Sequence, residues 1–419
     1  MSGIDVAAAQ ARIRSCVHCG FCTATCPTYV VTGDELDSPR GRIWLMKDML
    51  AASDRPPSPR AVHHIDRCLS CLACTTTCPS GVDYMHLVDA ARAHIETTYR
   101  RPWPQRLLRA ALPWLLTRRR LFRLALQLGR LARPLAGLLP PQLAAMLGQV
   151  PARLPAAGRA ERRQPLAVAQ PLGRVILHLG CVQPVLRPAI DDAALRLLAR
   201  HGFEVVITRQ SSCCGALDHH LGREAAARAH AAANIAAWDA AGDVEAIIIT
   251  ASGCGTVIKD YAALFGDDPA MAARARAVAA KAMDISEFLA RLPPLPSVLA
   301  PGRAVAWHSA CSLQHGQQVK VAPPALLAAA GFDVRQPAEA HICCGSAGSY
   351  AILQPEMSAT LKARKQVALA ATGARLVASS NIGCIGHLAS SELHIVHMVE
   401  LLDWASGGPP PAGMAAQTG

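Results

Sequence analysis

Eight cysteines in two identically spaced runs constrain this chain more than any other feature. Cys16, Cys19, Cys22 and Cys26 form the first, and Cys68, Cys71, Cys74 and Cys78 the second. Both read C-x2-C-x2-C-x3-C, and each is closed by a proline, Pro27 or Pro79. Three thiols two residues apart can wrap one centre from a single tight loop, while the fourth, three residues on, points away from it. This is the run by which paired [4Fe–4S] cubes are held. Zinc sites are usually built from two C-x2-C pairs instead. The runs therefore predict two [4Fe–4S] clusters and a protein that carries electrons one at a time.

In two-cluster ferredoxins with this run, the fourth cysteine ligates the other cluster. That assigns Cys16, Cys19, Cys22 and Cys78 to one cube and Cys68, Cys71, Cys74 and Cys26 to the other. Arg40 and Arg42, in the stretch SPRGR, are candidates for offsetting a cluster's negative charge, the alternative being a solvated loop.

A chain of 419 residues predicts two or three domains. Sixteen cysteines in a small secreted protein would mean disulfides, but the first fifteen residues carry no signal-peptide pattern. The thiols also fall into ligand runs, which points to a reducing, cytoplasmic compartment. No stretch approaches the ~18–20 uninterrupted apolar residues of a spanning helix. The net charge of +12 is concentrated: no acidic residue lies between Glu96 and Glu161, and twelve arginines lie from Arg100 to Arg159. There arginine interleaves with leucine at helical spacing, as in RLLRAALPWLLTRRRLFRLALQLGR. Nucleic acid is not the expected partner of that pattern. It fits a helical linker packed on a neighbouring domain or partner, or an amphipathic face lying on a membrane surface.

The other eight cysteines form a second pattern. Cys181 is followed by Cys213–Cys214 and Cys254, and Cys311 by Cys343–Cys344 and Cys384, every pair offset by 130. Gly215 and Gly345 follow the paired cysteines, and His178 and His308 precede the first cysteine of each set by three. Equal spacing at every landmark marks a duplicated module. Each copy alternates strand and helix: RVILHL, DDAALRLLAR, FEVVIT, REAAARAHAAANIAAW and EAIIIT, then RAVAWH, PPALLAAAG, FDVR, a helix around 358–371 and ARLVASS. That alternation predicts a parallel sheet, with three strand ends delivering four thiols to one site. An adjacent cysteine pair cannot easily grip one metal ion together. It can hold two irons of a cluster, or supply one ligand and one redox thiol. The two histidines are candidate ligands, although a strand histidine more often satisfies a backbone carbonyl.

In these residues the chain resembles the iron–sulfur subunits related to heterodisulfide reductase, whose duplicated element is the cysteine-rich CCG domain. Within that group CVHCGFCTATCPTY, DELDSPRGRIWLMKDML, HIDRCLSCLACTTTCPSGVDY, CCGALDHHLGR, SGCGTVIKDY and CCGSAGSYAILQPEMS are similar to the glycolate oxidase type. The resemblance covers about residues 10–405. It implies a multidomain α/β architecture: a helical two-cluster ferredoxin domain over 1–97, a basic helical linker or interfacial segment over 98–170, CCG modules over 171–295 and 296–405, and a flexible tail over 406–419. It implies a relay subunit of an oxidoreductase complex. FAD-bearing partner subunits would oxidise glycolate to glyoxylate, and electrons would pass to an acceptor at the cytoplasmic membrane, with this subunit peripheral at the cytoplasmic side of the inner membrane. Lactate or anaerobic glycerol-3-phosphate dehydrogenase, and a heterodisulfide-type reductase, are the alternatives. No G-x-G-x-x-G or Walker motif argues for a flavin, nicotinamide or nucleotide site in this chain. CCG modules that bind non-cubane clusters usually end in C-x-x-C. Here the motifs read Cys254-Gly-Thr-Val257 and Cys384-Ile-Gly-His387, so the fifth cysteine is missing, and four thiols per module suit a cube or a zinc ion equally.

Overall fold

Cysteine loops cannot form a core of their own, so short helices must surround them. The structure, a computed structural model, describes residues 6–51, 55–138, 147–148, 150–151, 153–208, 211 and 213–414. Six helices build the first unit: α1 (Val6–Arg14), α2 (Pro27–Thr32), α3 (Pro39–Ala51), α4 (Pro59–Asp66), α5 (Ala73–Thr77) and α6 (Tyr84–Thr98). Proline begins α2 and α4, where its missing N–H costs nothing. Ile43, Met46, Ile65, Leu87, Val88 and Ile95 close one apolar core beneath the cysteine loops.

Two further helices follow, α7 (Trp103–Leu116) and α8 (Arg119–Ala132). Arginines in and just before these helices tie them down: Arg101 and Arg109 to the first unit and Arg123 within the linker. Arg101 pairs with Asp66 at 2.5 Å, Arg109 approaches Asp66 and Glu96 at 3.8 and 3.9 Å, and Arg123 holds Glu161 at 2.9 Å. Part of the basic linker, residues 139–146, 149 and 152, lies outside the described residues. No helix among the described residues is long and apolar enough to cross a membrane.

The repeat becomes two four-stranded parallel sheets of identical topology. In the first, β1 (Gly173–His178), β2 (Phe203–Val206), β3 (Ala246–Ile249) and β4 (Ala282–Asp284) lie in the order β2-β1-β3-β4. In the second, β5 (Arg303–Trp307), β6 (Phe332–Arg335), β7 (Leu376–Ser379) and β8 (His394–His397) lie in the order β6-β5-β7-β8. β3 and β7 are buried throughout, as continuous apolar central strands should be. Six of these strands are legible in the sequence; β4 and β8 pass without a turn into the helices that begin at Ile285 and Met398 and do not stand out. One apolar core runs across both modules, from Val175 and Leu177 to Val305, Trp307 and Val396. Met414 packs into it, so the chain beyond 405 stays in contact with the core at least that far; residues 415–419 of the expected tail lie outside the described residues.

The first unit is fastened to the first module by a histidine between two carboxylates. His86 Nε2 meets Asp260 Oδ2 at 3.0 Å and its Nδ1 meets Asp83 Oδ2 at 2.7 Å, while Arg12 holds Asp83 from the other side. The bonds to Asp260 and Asp83 raise the histidine to about 10 against its burial. A raised folded-state pKa stabilises fully below about 6.5 and loses that contribution as pH climbs through about 10. His86→Gln is therefore expected to lower the denaturation midpoint at pH 6 and to match the parent at pH 10. A midpoint difference that does not change with pH would show that the ring serves only by packing.

Candidate metal centres

Both cysteine loops turn back on themselves through left-handed residues on either side of the middle cysteine. His18 and Gly20 flank Cys19 at φ +52° and +87°, and Ser70 and Leu72 flank Cys71 at +50° and +63°. A leucine in that conformation costs roughly 1–2 kcal/mol, strain that the rest of the loop has to offset. The fourth cysteines leave their loops in extended backbone with matching angles, Cys26 at φ −80°, ψ 114° and Cys78 at φ −76°, ψ 114°.

The result is two adjoining cavities. Cys16, Cys19, Cys22 and Cys78 line one, and Cys68, Cys71, Cys74 and Cys26 line the other, with Cys74, Pro39 and Tyr84 on the wall between them. The fourth cysteine of each run thus lies with the triplet of the other. Cys19 is exposed, whereas Cys26, Cys68, Cys71 and Cys74 are buried, so the first cavity is the one near the surface. Burial pushes Cys22 up to about 11 and Cys71 and Cys74 well above the ordinary thiol range. Four thiols on one cavity wall ionise together only when a metal offsets their charge, and such a donor set suits an iron–sulfur cluster.

The two candidate arginines part company. Arg40 is half-exposed, pairs with Glu35 at 2.6 Å and donates to the His18 carbonyl at 3.2 Å on the rim of the first cavity. Arg42 is only 1% exposed, which makes it a buried charge beside the second cavity. Its Nη1 lies 3.8 Å from Cys26 Sγ, its Nη2 donates to Thr28 Oγ1 at 3.0 Å and its Nε to the His64 carbonyl at 2.7 Å. The fully buried Asp37 balances it, reaching Arg67 at 2.7 Å and His64 at 2.8 Å. Tyr84 points its hydroxyl at Cys68 Sγ, 3.8 Å away. Asp37, Thr28 and Tyr84 carry no signal of this role in the sequence.

In each module the chain leaves the first strand for β2 (or β6) on one side and then crosses to β3 (or β7) on the other, so the switch of direction lies beside β1 (or β5). Ligands bind at such points beyond the carboxyl ends. Cys181, Cys213, Cys214 and Cys254 follow the three strands of the first module, and Cys311, Cys343, Cys344 and Cys384 those of the second. In the second module Cys311 and Cys343 sulfurs are 3.7 Å apart and Cys344 and Cys384 sulfurs 3.4 Å apart. The same neighbours, Cys181 with Cys213 and Cys214 with Cys254, meet in the first. Gly215 and Gly345 complete the CCG motifs because both sit at φ +88°, and a Cβ there would lie 3.1 Å from the Ala227 carbonyl oxygen and 2.7 Å from that of Ser358.

A cation serves each thiol set, half-buried in the first module and buried in the second. Arg119, from α8, donates through Nε to the Gly180 carbonyl at 3.1 Å, next to Cys181. Lys365, 2% exposed, donates to the Glu339 carbonyl at 2.7 Å beside Cys311, Cys343 and Cys344, and burial pulls its pKa down. The equivalent helical position in the first module holds a neutral amide, Asn234, bonded to the Cys213 carbonyl at 2.7 Å. The strand histidines contact hydroxyls rather than carbonyls, His178 Nδ1 to Ser211 at 3.1 Å and His308 Nδ1 to Ser379 at 2.9 Å. His387, where a fifth cysteine would stand, is engaged with Ser358 at 3.4 Å and with the Cys344 backbone.

The sites adjoin one another. Cys71 of the second cavity shares an apolar cluster with Cys343, Leu69, Ile342 and Tyr350, with Cys311 against it. Tyr350 donates to the Arg67 carbonyl at 2.9 Å and Thr76 meets His315 at 2.8 Å across the same contact. The two modules meet beside their thiols, where the Ser252 and Ser312 hydroxyls lie 2.7 Å apart and the Ser252 N–H donates to the Ser380 carbonyl at 3.1 Å.

Residues 12–82 match the 4Fe-4S dicluster domain family, and residues 175–259 and 305–389 each match the cysteine-rich domain family. The chain is 39% identical to the glycolate oxidase iron-sulfur subunit of Escherichia coli (strain K12), covering 95% of both chains. It is 32% identical to the probable glycolate oxidase iron-sulfur subunit of Bacillus subtilis (strain 168), again over 95% of each. Lactate utilization protein A of an Exiguobacterium species is 27% identical over 55% of this chain and 96% of that one. Among solved structures, a hypothetical protein from Helicobacter pylori shares the fold at a TM-score of 0.56 and 11% identity, covering 88% of this chain and 67% of the other.

Proposed function

The chain belongs to the family of glycolate oxidase iron–sulfur subunits, and from that premise we propose that it relays electrons from FAD-bearing partner subunits, which oxidise glycolate to glyoxylate, towards an acceptor at the membrane. The observation that carries this reading is the adjacency of two four-thiol cavities, one opening to the surface at Cys19 and the other packed on the second module through Cys71. [4Fe–4S] clusters held there would supply one-electron storage, complementing the two-electron chemistry of a flavin. The protein's own part is to bind and insulate. Cys26, Cys68, Cys71 and Cys74 exclude water by burial, Arg42 offsets the charge of the thiolates, and the Tyr84 hydroxyl hydrogen-bonds to the Cys68 sulfur. Such charge and hydrogen-bond contacts are what set cluster potentials.

Cytoplasmic placement is supported by sixteen cysteines that all gather in ligand sets, which need reducing conditions. Peripheral attachment to the inner membrane is supported by α7 and α8. Trp103, Leu107 and Trp114 form an exposed stripe on one helix, and Leu124, Leu128 and Leu131 one on the other. Arg106, Arg120 and Arg130 are exposed on the same helices, and the exposed Arg118 between them lies over the Trp114 ring at 4.9 Å. Apolar side chains among exposed arginines suit an anionic headgroup layer, where each arginine contributes on the order of 1 kcal/mol.

Co-expression with the flavin subunits tests both parts. Anaerobic addition of glycolate is expected to bleach the visible absorption of this chain only when the partners are present, and the complex to sediment with anionic vesicles in low salt and release in high salt. Bleaching by D-lactate and not glycolate would move the chain to the lactate reading that the match to lactate utilization protein A favours. Sedimentation unaffected by salt would assign the anchor to a partner.

A further inference from the structure

We propose that His308 is a nitrogen ligand of a metal centre in the second module, bound together with Cys344 and Cys384, so that the two repeated modules hold chemically different centres. This rests on the reading of the module cysteines as metal sites, and takes it to a donor set that the cysteine motif does not contain.

The ligand atoms of His308, Cys344 and Cys384 all lie within 4.8 Å of one another, and the three residues are buried. The imidazole is held at both its backbone and its ring. The His308 N–H donates to the Ala378 carbonyl at 2.8 Å, and Nδ1 contacts the Ser379 hydroxyl at 2.9 Å. Fixing one ring nitrogen in this way orients the other, which is how metal-bound histidines are generally supported. Asn381 Nδ2 lies 3.4 Å from Cys384 Sγ, a donor contact that suits a thiolate.

The first module lacks this arrangement although its sequence repeats it. His178 meets Ser211 at 3.1 Å and packs edge-on against Trp238 at 5.6 Å, and among the described residues no ligand group forms around it. The missing fifth cysteine is therefore replaced in the second module by a residue from a different strand end, not by His387, whose ring is already engaged. The occupant is a thiophilic metal ion, either iron of a cluster or zinc, since both accept mixed sulfur and imidazole ligands. The Lys365 ammonium nearby favours an anionic centre, and the remaining thiols Cys311 and Cys343 can supply that charge as thiolates.

The test uses the full chain purified anaerobically with 15N-labelled histidine, in four forms: the parent, His308→Ala, His308→Cys and His178→Ala. Elemental analysis identifies the module metal, and nitrogen coordination is read by pulsed electron paramagnetic resonance for iron or by X-ray absorption at the zinc edge. The parent and His178→Ala are expected to show a coordinated histidine nitrogen, and both His308 variants to lack it. Loss of the module metal to EDTA should quicken by at least about 10–100-fold in His308→Ala, since removing even an outer partner of a ligand costs that much. His308→Cys should return it close to the parent rate, because a thiolate takes the imidazole's place, and this recovery excludes a folding defect. A nitrogen signal that survives in His308→Ala, or one absent from the parent, overturns the proposal, as does a chelation rate that the substitution leaves unchanged. No partner subunit or substrate enters the assay, so its failure is distinct from failure of the glycolate reading.

Discussion

Cys26→Ser is expected to empty the buried cavity of Cys68, Cys71 and Cys74 and to spare the cavity of the loop in which Cys26 itself stands. Cys26 lines the far cavity, close to the Arg42 guanidinium at 3.8 Å and Thr28 at 3.2 Å. A serine hydroxyl is nearly the same shape and can keep both polar contacts, so the local fold should survive while the fourth thiolate is lost. Iron should fall by about four per chain, the content of one cube, and electron transfer should stop, because the cavity that adjoins the second module would be the empty one. Cys78→Ser is the mirror case and should cost the surface cavity its iron instead. Mössbauer spectra of the two variants decide the matter. If Cys26→Ser removes the Cys16, Cys19 and Cys22 centre and leaves the other, each run serves its own cavity and the crossing is wrong.

The second large effect is expected at Asp37, which belongs to no cysteine run. Its carboxylate is fully buried and faces Arg42, His64 and Arg67, and its carbonyl accepts the Thr28 hydroxyl at 2.7 Å. Asp37→Ala would leave the Arg42 guanidinium, itself buried, without its counter-charge. Removing one partner of a buried ion pair costs about 3–5 kcal/mol. The denaturation midpoint of the first unit should drop accordingly, and the buried cavity should lose metal before the surface one. Asp37→Asn keeps the shape and part of the hydrogen bonding, so its loss should be smaller. An alanine variant with an unchanged midpoint would mean that solvent reaches Arg42 and relieves its charge.

Neither Asp37 nor Lys365 could be found from the sequence. An acidic residue in DELDSPRGR reads as a solvated turn, and a lysine in KARKQVALA as one side of an exposed helix. Their burial follows from what packs over them, the α4 segment with His64 and Arg67 in one case and the CCG loop in the other. The short strands β4 and β8 escaped for a related reason. Each passes without a turn into the helix that follows, at Ile285 or Met398, so no boundary marks it in the sequence, and only pairing with β3 and β7 shows it as a strand. The basic segment was legible as helix and as amphipathic, but its sides were not assigned. Arg109 faces inward to Asp66 and Glu96, and Trp103 faces out.

The sequence by itself determined what is local or repeated: two cysteine loops able to wrap a centre, a duplicated module offset by 130 residues, six of the eight strands, and a charge concentrated in one segment. These depend on spacing along the chain, which the sequence states directly. The tertiary structure alone decided which side chains meet across long separations. It set Arg42 against Cys26, Cys71 against the second module, and His308 but not His178 within reach of two thiols. The two histidines occupy the same place in the repeat, and their difference lies in the neighbours that each module folds against them, Trp238 and Ser211 for one and Ser379 for the other. A repeat in the sequence fixes the same backbone twice, but the packing of unlike side chains around it determines the chemistry at each copy.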